Sequence, residues 1–221
     1  MSKNVITVEA TDTIQHTNDL MTDYGLSIVP VVDEGRLVGV VTDRDVKRAS
    51  PSDASLLDIQ RVLSHMSRLE VGAIMTRYPI AVHVDVTIEE AAETLLQHKI
   101  SGAPVVDDEG RIQGGLTKNE LFKALIALTG LKKRGVLFGF LLQDRPGSIK
   151  AITDVIRRHN ARLLSLLASY DKAPEGFRHV FVRVFDIDRK EMPKLTEELR
   201  ETGKLLYIID HRENIRQIFA D

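Results

Sequence analysis

Two short stretches carry residue types that can do chemistry. Thr42-Asp43-Arg44-Asp45 and Thr117-Lys118-Asn119-Glu120 each place a hydroxyl three positions ahead of a carboxylate, directly after an apolar run, with a cation between them. One role is purely structural. In a capping box the Thr oxygen accepts from the N–H three residues on, and the carboxylate reaches back to the N–H of the cap. The other role is binding, because free N–H groups at a helix start, a hydroxyl and Arg44 together suit a phosphate. A carboxylate is unwelcome beside phosphate, so Asp45 would serve a neutral group, and the paired hydroxyls of a ribose are the natural one. A strand running into a helix then puts diol and phosphate on a single nucleoside phosphate.

The elements that must position these residues occur twice. Residues 5–49 and 79–124 align, with Ser27-Ile28-Val29-Pro30-Val31-Val32-Asp33 standing against Ser101-Gly102-Ala103-Pro104-Val105-Val106-Asp107. Self-similarity over this length marks a duplicated structural unit. Each copy reads as a short strand (5–8; 79–82), a helix starting at Thr13-Ile14 or Thr87-Ile88, a strand (29–32; 103–106), an acidic Gly-containing turn, a second strand and a closing helix. The order is β-α-β-β-α. In the second copy Ile88, Ala91, Ala92, Leu95 and Leu96 fall on one helical face, and in the first Ile14, Leu20, Met21 and Tyr24 do, with Thr17 where Ala91 stands. Two such units are expected to bury against each other and share one core. Between them, residues 50–53 read as a turn and residues 56–66 as a connecting helix. Val71-Gly72-Ala73-Ile74-Met75-Thr76 leads into the second copy; nothing equivalent precedes Val5, so the first lead-in is missing or supplied from elsewhere.

After the basic linker Gly130-Leu131-Lys132-Lys133-Arg134-Gly135 the composition shifts, and six of the seven Phe residues lie beyond position 130. Residues 136–142 read as a strand, Asp144-Arg145-Pro146-Gly147-Ser148 as a turn into a helix with Ile149, Ile152, Val155 and Ile156 as its stripe, and 163–170 and 178–185 as a hairpin. Asp188-Arg189-Lys190-Glu191 has the form of a capping box, Pro193 stands early in the helix that follows and Gly203 just past its end, and 205–209 closes as a strand. That order, βαββαβ, is the ferredoxin-like split unit. Phe181 and Phe185 share a face with His179 and Arg183, opposite Val180, Val182 and Val184; a sheet apolar on both sides implies that the Phe face meets a partner subunit.

Composition narrows the function classes. Of 221 residues 43% are hydrophobic, enough for a core, and 30 basic against 32 acidic residues leave a net charge of -2, which offers no global field for nucleic acid or an anionic membrane. The absence of cysteine removes disulfides, thiolate-bound metals and a thiol nucleophile, and fits a reducing compartment. No apolar run approaches the ~20 residues that span a bilayer, and the first residues carry no signal-peptide pattern; a cytoplasmic protein is expected. The seven histidines (16, 65, 83, 98, 159, 179, 211) lack metal-ligand spacing, Ser148 and Ser165 lack an evident base, and neither Gly-x-Ser-x-Gly nor a P-loop occurs, so no catalytic residue and no metal are assigned.

The duplicated unit resembles a tandem cystathionine-β-synthase (CBS) pair over residues 4 to about 126, through Pro30-Val31-Val32-Asp33, the run from Gly35 to Thr42, and Thr42-x-x-Asp45. The resemblance implies an adenosyl ligand in the cleft between the repeats, of the AMP, ADP or ATP class, or alternatively S-adenosylmethionine. It implies that Ile6, Thr7, Val29 and Pro30 frame the base, Thr42 and Arg44 the phosphate and Asp45 the ribose, with Ile80, Ala81, Pro104, Thr117, Lys118 and Glu120 forming a second site. The C-terminal part resembles an ACT domain over 134 to about 211, whose ligand, an amino acid, would sit at Asp144, Arg145, Pro146 and Gly147. The two together, with Arg44-Asp45-Val46-Lys47-Arg48-Ala49-Ser50-Pro51-Ser52 closing the first repeat, are similar to the acetoin-utilisation protein AcuB family. The expected architecture is thus α/β (α+β): a first CBS repeat with connecting helix (1–70), a second (71–128), an ACT domain (134–212) and a C-terminal helix or tail (213–221). The expected function is non-enzymatic regulation by an adenine nucleotide, in a homodimer held through the CBS pair, the ACT sheet or both, with no membrane or nucleic-acid partner. A ligand-free interaction scaffold is the alternative, and the sequence names no regulated protein partner.

Overall fold

A computed structural model of the chain describes residues 5–49 and 66–219. The turn at 50–53 and all of the connecting helix but Met66 lie outside the described residues. Two compact units divide at Phe122/Lys123. Both mix helix and strand.

In the first unit, the first repeat contains β1 (Val8–Glu9), α1 (Ile14–Tyr24), β2 (Ile28–Asp33), β3 (Arg36–Thr42) and α2 (Asp43–Ala49). The second contains β5 (Val82–His83), α3 (Ile88–Gln97), β6 (Gly102–Val106), β7 (Ile112–Thr117) and the start of α4 (Lys118–Leu128), whose residues from Lys123 on belong to the second unit. In each, the first strand pairs parallel with the second and the second antiparallel with the third. The sheets differ in size, four strands against three, because β4 (Thr76–Arg77) belongs by sequence to the lead-in of the second repeat yet pairs antiparallel with Gly39 and Val40 of β3. The lead-in of one repeat thus completes the sheet of the other.

Both first helices begin as their Thr residues predict. Thr13 accepts from the N–H of His16, and Thr87 forms a full capping box with Glu90. The backbone N–H of Thr87 and then its side chain hold the Glu90 carboxyl below its usual range. Thr17, buried at the position of Ala91, donates its hydroxyl to the Thr13 carbonyl at 3.1 Å, which satisfies a polar group in an apolar stripe. The expected stripe on α3 is only half buried: Ala91 and Leu95 enter the core, while Ile88 and Leu96 stay exposed.

The expectation of one shared core does not hold. Val8, Ile14, Met21, Val29, Val31, Val41, Val46, Met66 and Val71 form one buried cluster, and Val82, Ala91, Leu95, Ala103, Val105 and Leu116 form another. Several positions that face the seam are small or ring-closed, Ser27, Pro30, Ser101, Pro104 and Gly115, and side chains of that size leave part of it open.

The second unit is a five-stranded antiparallel sheet in the order β12-β11-β8-β10-β9, built from β8 (Val136–Gln143), β9 (Arg162–Ser169), β10 (Phe177–Phe185), β11 (Lys204–Asp210) and β12 (Ile215–Ile218). Helices α5 (Ser148–Arg158) and α6 (Met192–Thr202) place Ile152, Val155, Ile156, Leu195 and Leu199 in one core with Phe138, Phe140, Val180 and Val182. The βαββαβ order is as expected. Residues 213–219 are not a helix, since β12 pairs antiparallel with β11 from Tyr207↔Ile218 to Asp210↔Ile215. The capping box at Asp188 does not form either. Asp188 accepts from the N–H of Lys190, two residues on, and α6 starts later with Pro193 in its first turn. Such a local Asx turn competes with a cap for the same carboxylate. Gly203 is closely packed: a Cβ there would lie 2.5 Å from Leu142 Cδ2, so that side chain would have to shift.

Candidate functional site

The two Thr-x-x-acid tips close in the same way. Asp45 Oδ2 accepts from the N–H of Thr42 at 2.9 Å and from its hydroxyl at 2.6 Å, and Thr42 Oγ1 lies 3.3 Å from the N–H of Asp45. In the second repeat one Glu120 oxygen accepts from the Thr117 N–H at 3.1 Å and from the Thr117 hydroxyl, and the Glu120 N–H points back at 3.4 Å. Both carboxylates are therefore folded back as capping boxes. The extra methylene of Glu120 is absorbed without losing the pattern. In each tip the bonds described engage one carboxylate oxygen.

What surrounds the tips differs. A cavity of about 370 Å³ opens beside Thr117, Lys118, Asn119 and Glu120, walled by Val5, Ile6, Leu26, Ile28, Pro30, Ala103, Pro104 and Leu116 and edged by Ser27, Ser101, Gly25 and Gly115. Both repeats of the first unit contribute. Val5 sets the pairing: its Cγ2 lies 3.9 Å from where a Cβ on Gly115 of β7 would be. The segment ahead of β1, residues 5–7, expected as part of a strand but not one, therefore runs beside the helix tip of the second repeat, in the crossed sense already seen for β4 and β3.

Of the residues expected to bind, Ile6, Pro30, Pro104, Thr117, Lys118 and Glu120 come together around this cavity, drawn from both expected sites. Thr7, Val29, Thr42, Arg44, Asp45, Ile80 and Ala81 stand outside its lining. Val29 is wholly buried in the first core cluster, and Arg44 is exposed on the surface. The lining also includes Ser27, Ser101 and Asn119, which the sequence reading did not single out for binding. The signal was present, because Ser27 and Ser101 are equivalent positions in the duplicated segment. The formal charges of the lining are one cation, Lys118, and one carboxylate, Glu120.

In the second unit a cavity of about 420 Å³ is lined by Arg145, Pro146, Gly147 and Ser148 together with Gln143, Phe177, Gly203 and Lys204. Asp144 is not part of that lining. It accepts from the Tyr170 hydroxyl at 3.3 Å and lies 3.5 Å from Arg178 Nη1. Gly147 carries a left-handed φ of 86° at the cap of α5, the conformation that makes glycine suit this turn.

Residues 1–52 and 71–127 match the sequence profile of the CBS domain, so the first unit carries a tandem pair of CBS domains. Over 122 residues the chain is 34% identical to inosine-5'-monophosphate dehydrogenase of Methanocaldococcus jannaschii, a match that covers 55% of this chain and 22% of that enzyme. Only the CBS part is shared, about a fifth of the length of the enzymes matched. Among solved structures, the CBS-pair protein CBSX2 of Arabidopsis thaliana aligns with a TM-score of 0.52 at 27% identity, covering 60% of this chain and 93% of that one. A second CBSX2 structure, in complex with AMP, aligns with a TM-score of 0.47 at 29% identity over 56% of this chain and 88% of that one. No helix among the described residues is long and apolar enough to cross a membrane.

Proposed function

We propose that this chain is a non-catalytic regulatory protein that senses an adenine nucleotide in the seam between its CBS domains. The observation that carries the reading is the open cavity shared by both repeats, apolar along its walls and ending on the start of α4 with Lys118. Ile6, Pro30 and Pro104 suit the faces of a purine. The Lys118 side chain, at the start of α4, suits a phosphate. Glu120, the carboxylate of the lining, suits the ribose diol. With one cation in the lining, the cavity favours a monophosphate over a triphosphate, whose further charges would find no partner in it. AMP is accordingly the preferred ligand, ahead of ADP, ATP and S-adenosylmethionine. The second unit we take to be an ACT-type domain that holds a cytoplasmic homodimer, on the grounds of its βαββαβ order and of the apolar face carrying Phe181 and Phe185, and the whole to be an AcuB-like regulator.

Calorimetric titration of the full chain with AMP, ADP, ATP and S-adenosylmethionine tests the reading. AMP is expected to bind most tightly, and Lys118→Ala to weaken it by about tenfold, the lower end of what a charge-assisted hydrogen bond contributes. Binding must also raise the melting temperature by mass action. A second reading is favoured by one observation, the two closed capping boxes, which need no ligand to explain them. On that reading the pair is an interaction scaffold, and none of the four compounds produces heat or moves the melting temperature.

A further inference from the structure

Arg183 stands on β10 between the core residues Val182 and Val184, so its side chain lies on the sheet face opposite α5 and α6. It is nevertheless only 4% exposed, and no carboxylate forms an ion pair with it among the described residues. A buried guanidinium needs another acceptor. It has two. Nε donates to the carbonyl of Thr129 at 2.7 Å, and Nη1 lies 3.2 Å from Nδ1 of His211. Ser165 Oγ donates to the same Thr129 carbonyl at 3.0 Å. Thr129 directly follows α4, so this carbonyl belongs to the negative end of the helix, where a cation is favoured. Gly130 is drawn equally close: its φ is 67°, and a Cβ there would lie 2.5 Å from Leu164 Cγ. The C-terminal end of α4 is pinned to the sheet by Arg183, Ser165 and the approach of Gly130.

The His211 contact makes the pin sensitive to protons. Arginine only donates, so Nδ1 of His211 must present its lone pair, which puts the proton of the neutral ring on Nε2. The groups facing the ring are Arg183 from β10, Arg216 from β12 and the carbonyls of Gly135 and Ile209; Tyr207 of β11 faces Arg183. Burial first, then Arg183, then Arg216 hold the imidazole below its usual range, against the pull of the two carbonyls. We propose that His211 is a pH-operated latch: neutral, it accepts from Arg183 and keeps the guanidinium on Thr129, and protonated, it repels Arg183 and frees the end of α4 from the sheet. The window lies below the ordinary histidine value of about 6.5. An unfolded chain takes up this proton at that value while the folded one resists it. The stabilisation is therefore fully present above it and is lost as pH falls towards the lowered folded value.

The test is amide hydrogen exchange on the full chain at pH 7.5 and 5.5, expressed as protection factors, with residues 136–143 of β8 as internal reference. Protection across residues 125–131 is expected to fall at the lower pH by about tenfold relative to β8, the scale of one hydrogen bond to a charged group. His211→Gln keeps an acceptor without a proton to gain, and should abolish the pH step. Arg183→Gln should leave the segment weakly protected at both pH values, and serves if the first variant folds poorly. Nitrogen-15 spectra of the wild-type ring at pH 7.5 should place the proton on Nε2. The latch is overturned by a wild-type segment indifferent to pH, by the same step persisting in His211→Gln, or by a ring proton on Nδ1.

Discussion

The two repeats of the CBS pair carry the same tip and close it with the same hydrogen bonds, yet the cavity described borders one tip only. At Thr117 the neighbours are Val5 and Ile6 from the other repeat, together with serine and proline positions too small to fill the space. Thr42 sits at the start of a short helix whose Asp43 pairs with Lys47 at 3.1 Å on the surface. The motif therefore does not define a binding site by itself. It builds a stable helix start, and the site arises where the segment ahead of β1 in the other repeat leaves room in front of that start.

The sharpest way to break this comparison is through the cores. Ile14→Ala and Leu95→Ala each delete a fully buried side chain from a different cluster, and each should cost about 2–5 kcal/mol in denaturant unfolding. Because the clusters are separate, the double variant should show additive losses within about 0.5 kcal/mol. Strong non-additivity would restore the single shared core that the structure rejects.

A smaller effect sharpens the functional contrast. Lys118→Ala should weaken AMP about tenfold, whereas Arg44→Ala should leave its affinity within about twofold, since Arg44 stands outside the cavity. Calorimetry giving the reverse order would move the site to the first tip. Removing the caps should have nearly equal consequences in the two repeats. Thr42→Ala and Thr117→Ala should each lower stability by about 1 kcal/mol, measured without nucleotide, because each deletes one capping hydroxyl. The smallest effect belongs to Glu90. Its carboxyl is held below the usual range by the N–H of Thr87, so its contribution is present above the unfolded value and lost as pH falls through the lowered folded one. In acid titration of stability, Glu90→Gln should remove that step and leave the profile otherwise unchanged.

Much of the fold was legible because it is encoded locally. The Thr13 and Thr87 caps, the repeated strand pairs and the βαββαβ order follow from propensities and periods that act over a few residues. The misreadings share a cause as well. Ile88 and Leu96 lie on the same helical face as Ala91 and Leu95, but the second repeat offers too narrow a surface to cover all four. Asp188 satisfies both a capping-box pattern and an Asx turn, and only the path of the chain decided between them. Residues 213–219 carry no strong local signal, and β12 forms because the edge of β11 is there to pair with.

His159 shows the limit for individual side chains. In the sequence it is one histidine among seven; in the fold it is buried at the end of α5, with Nδ1 3.2 Å from Glu191 and Nε2 3.0 Å from Glu198. Arg158 first, and then His159, hold the Glu198 carboxyl below its usual range. Two helices distant in sequence are joined by a residue that no spacing rule distinguishes.

By itself the sequence determined that a strand-turn-helix tip occurs twice and that a ferredoxin-like unit follows. These depend on short-range hydrogen bonding and on hydrophobic period, which every stretch of chain carries with it. The tertiary structure alone decided that Ile6 faces the tip at Thr117 and that the seam stays open there. It also decided that Arg183 reaches a helix carbonyl rather than an acid. Such pairings depend on which surfaces meet across many tens of residues, and packing settles that only after the local elements have formed.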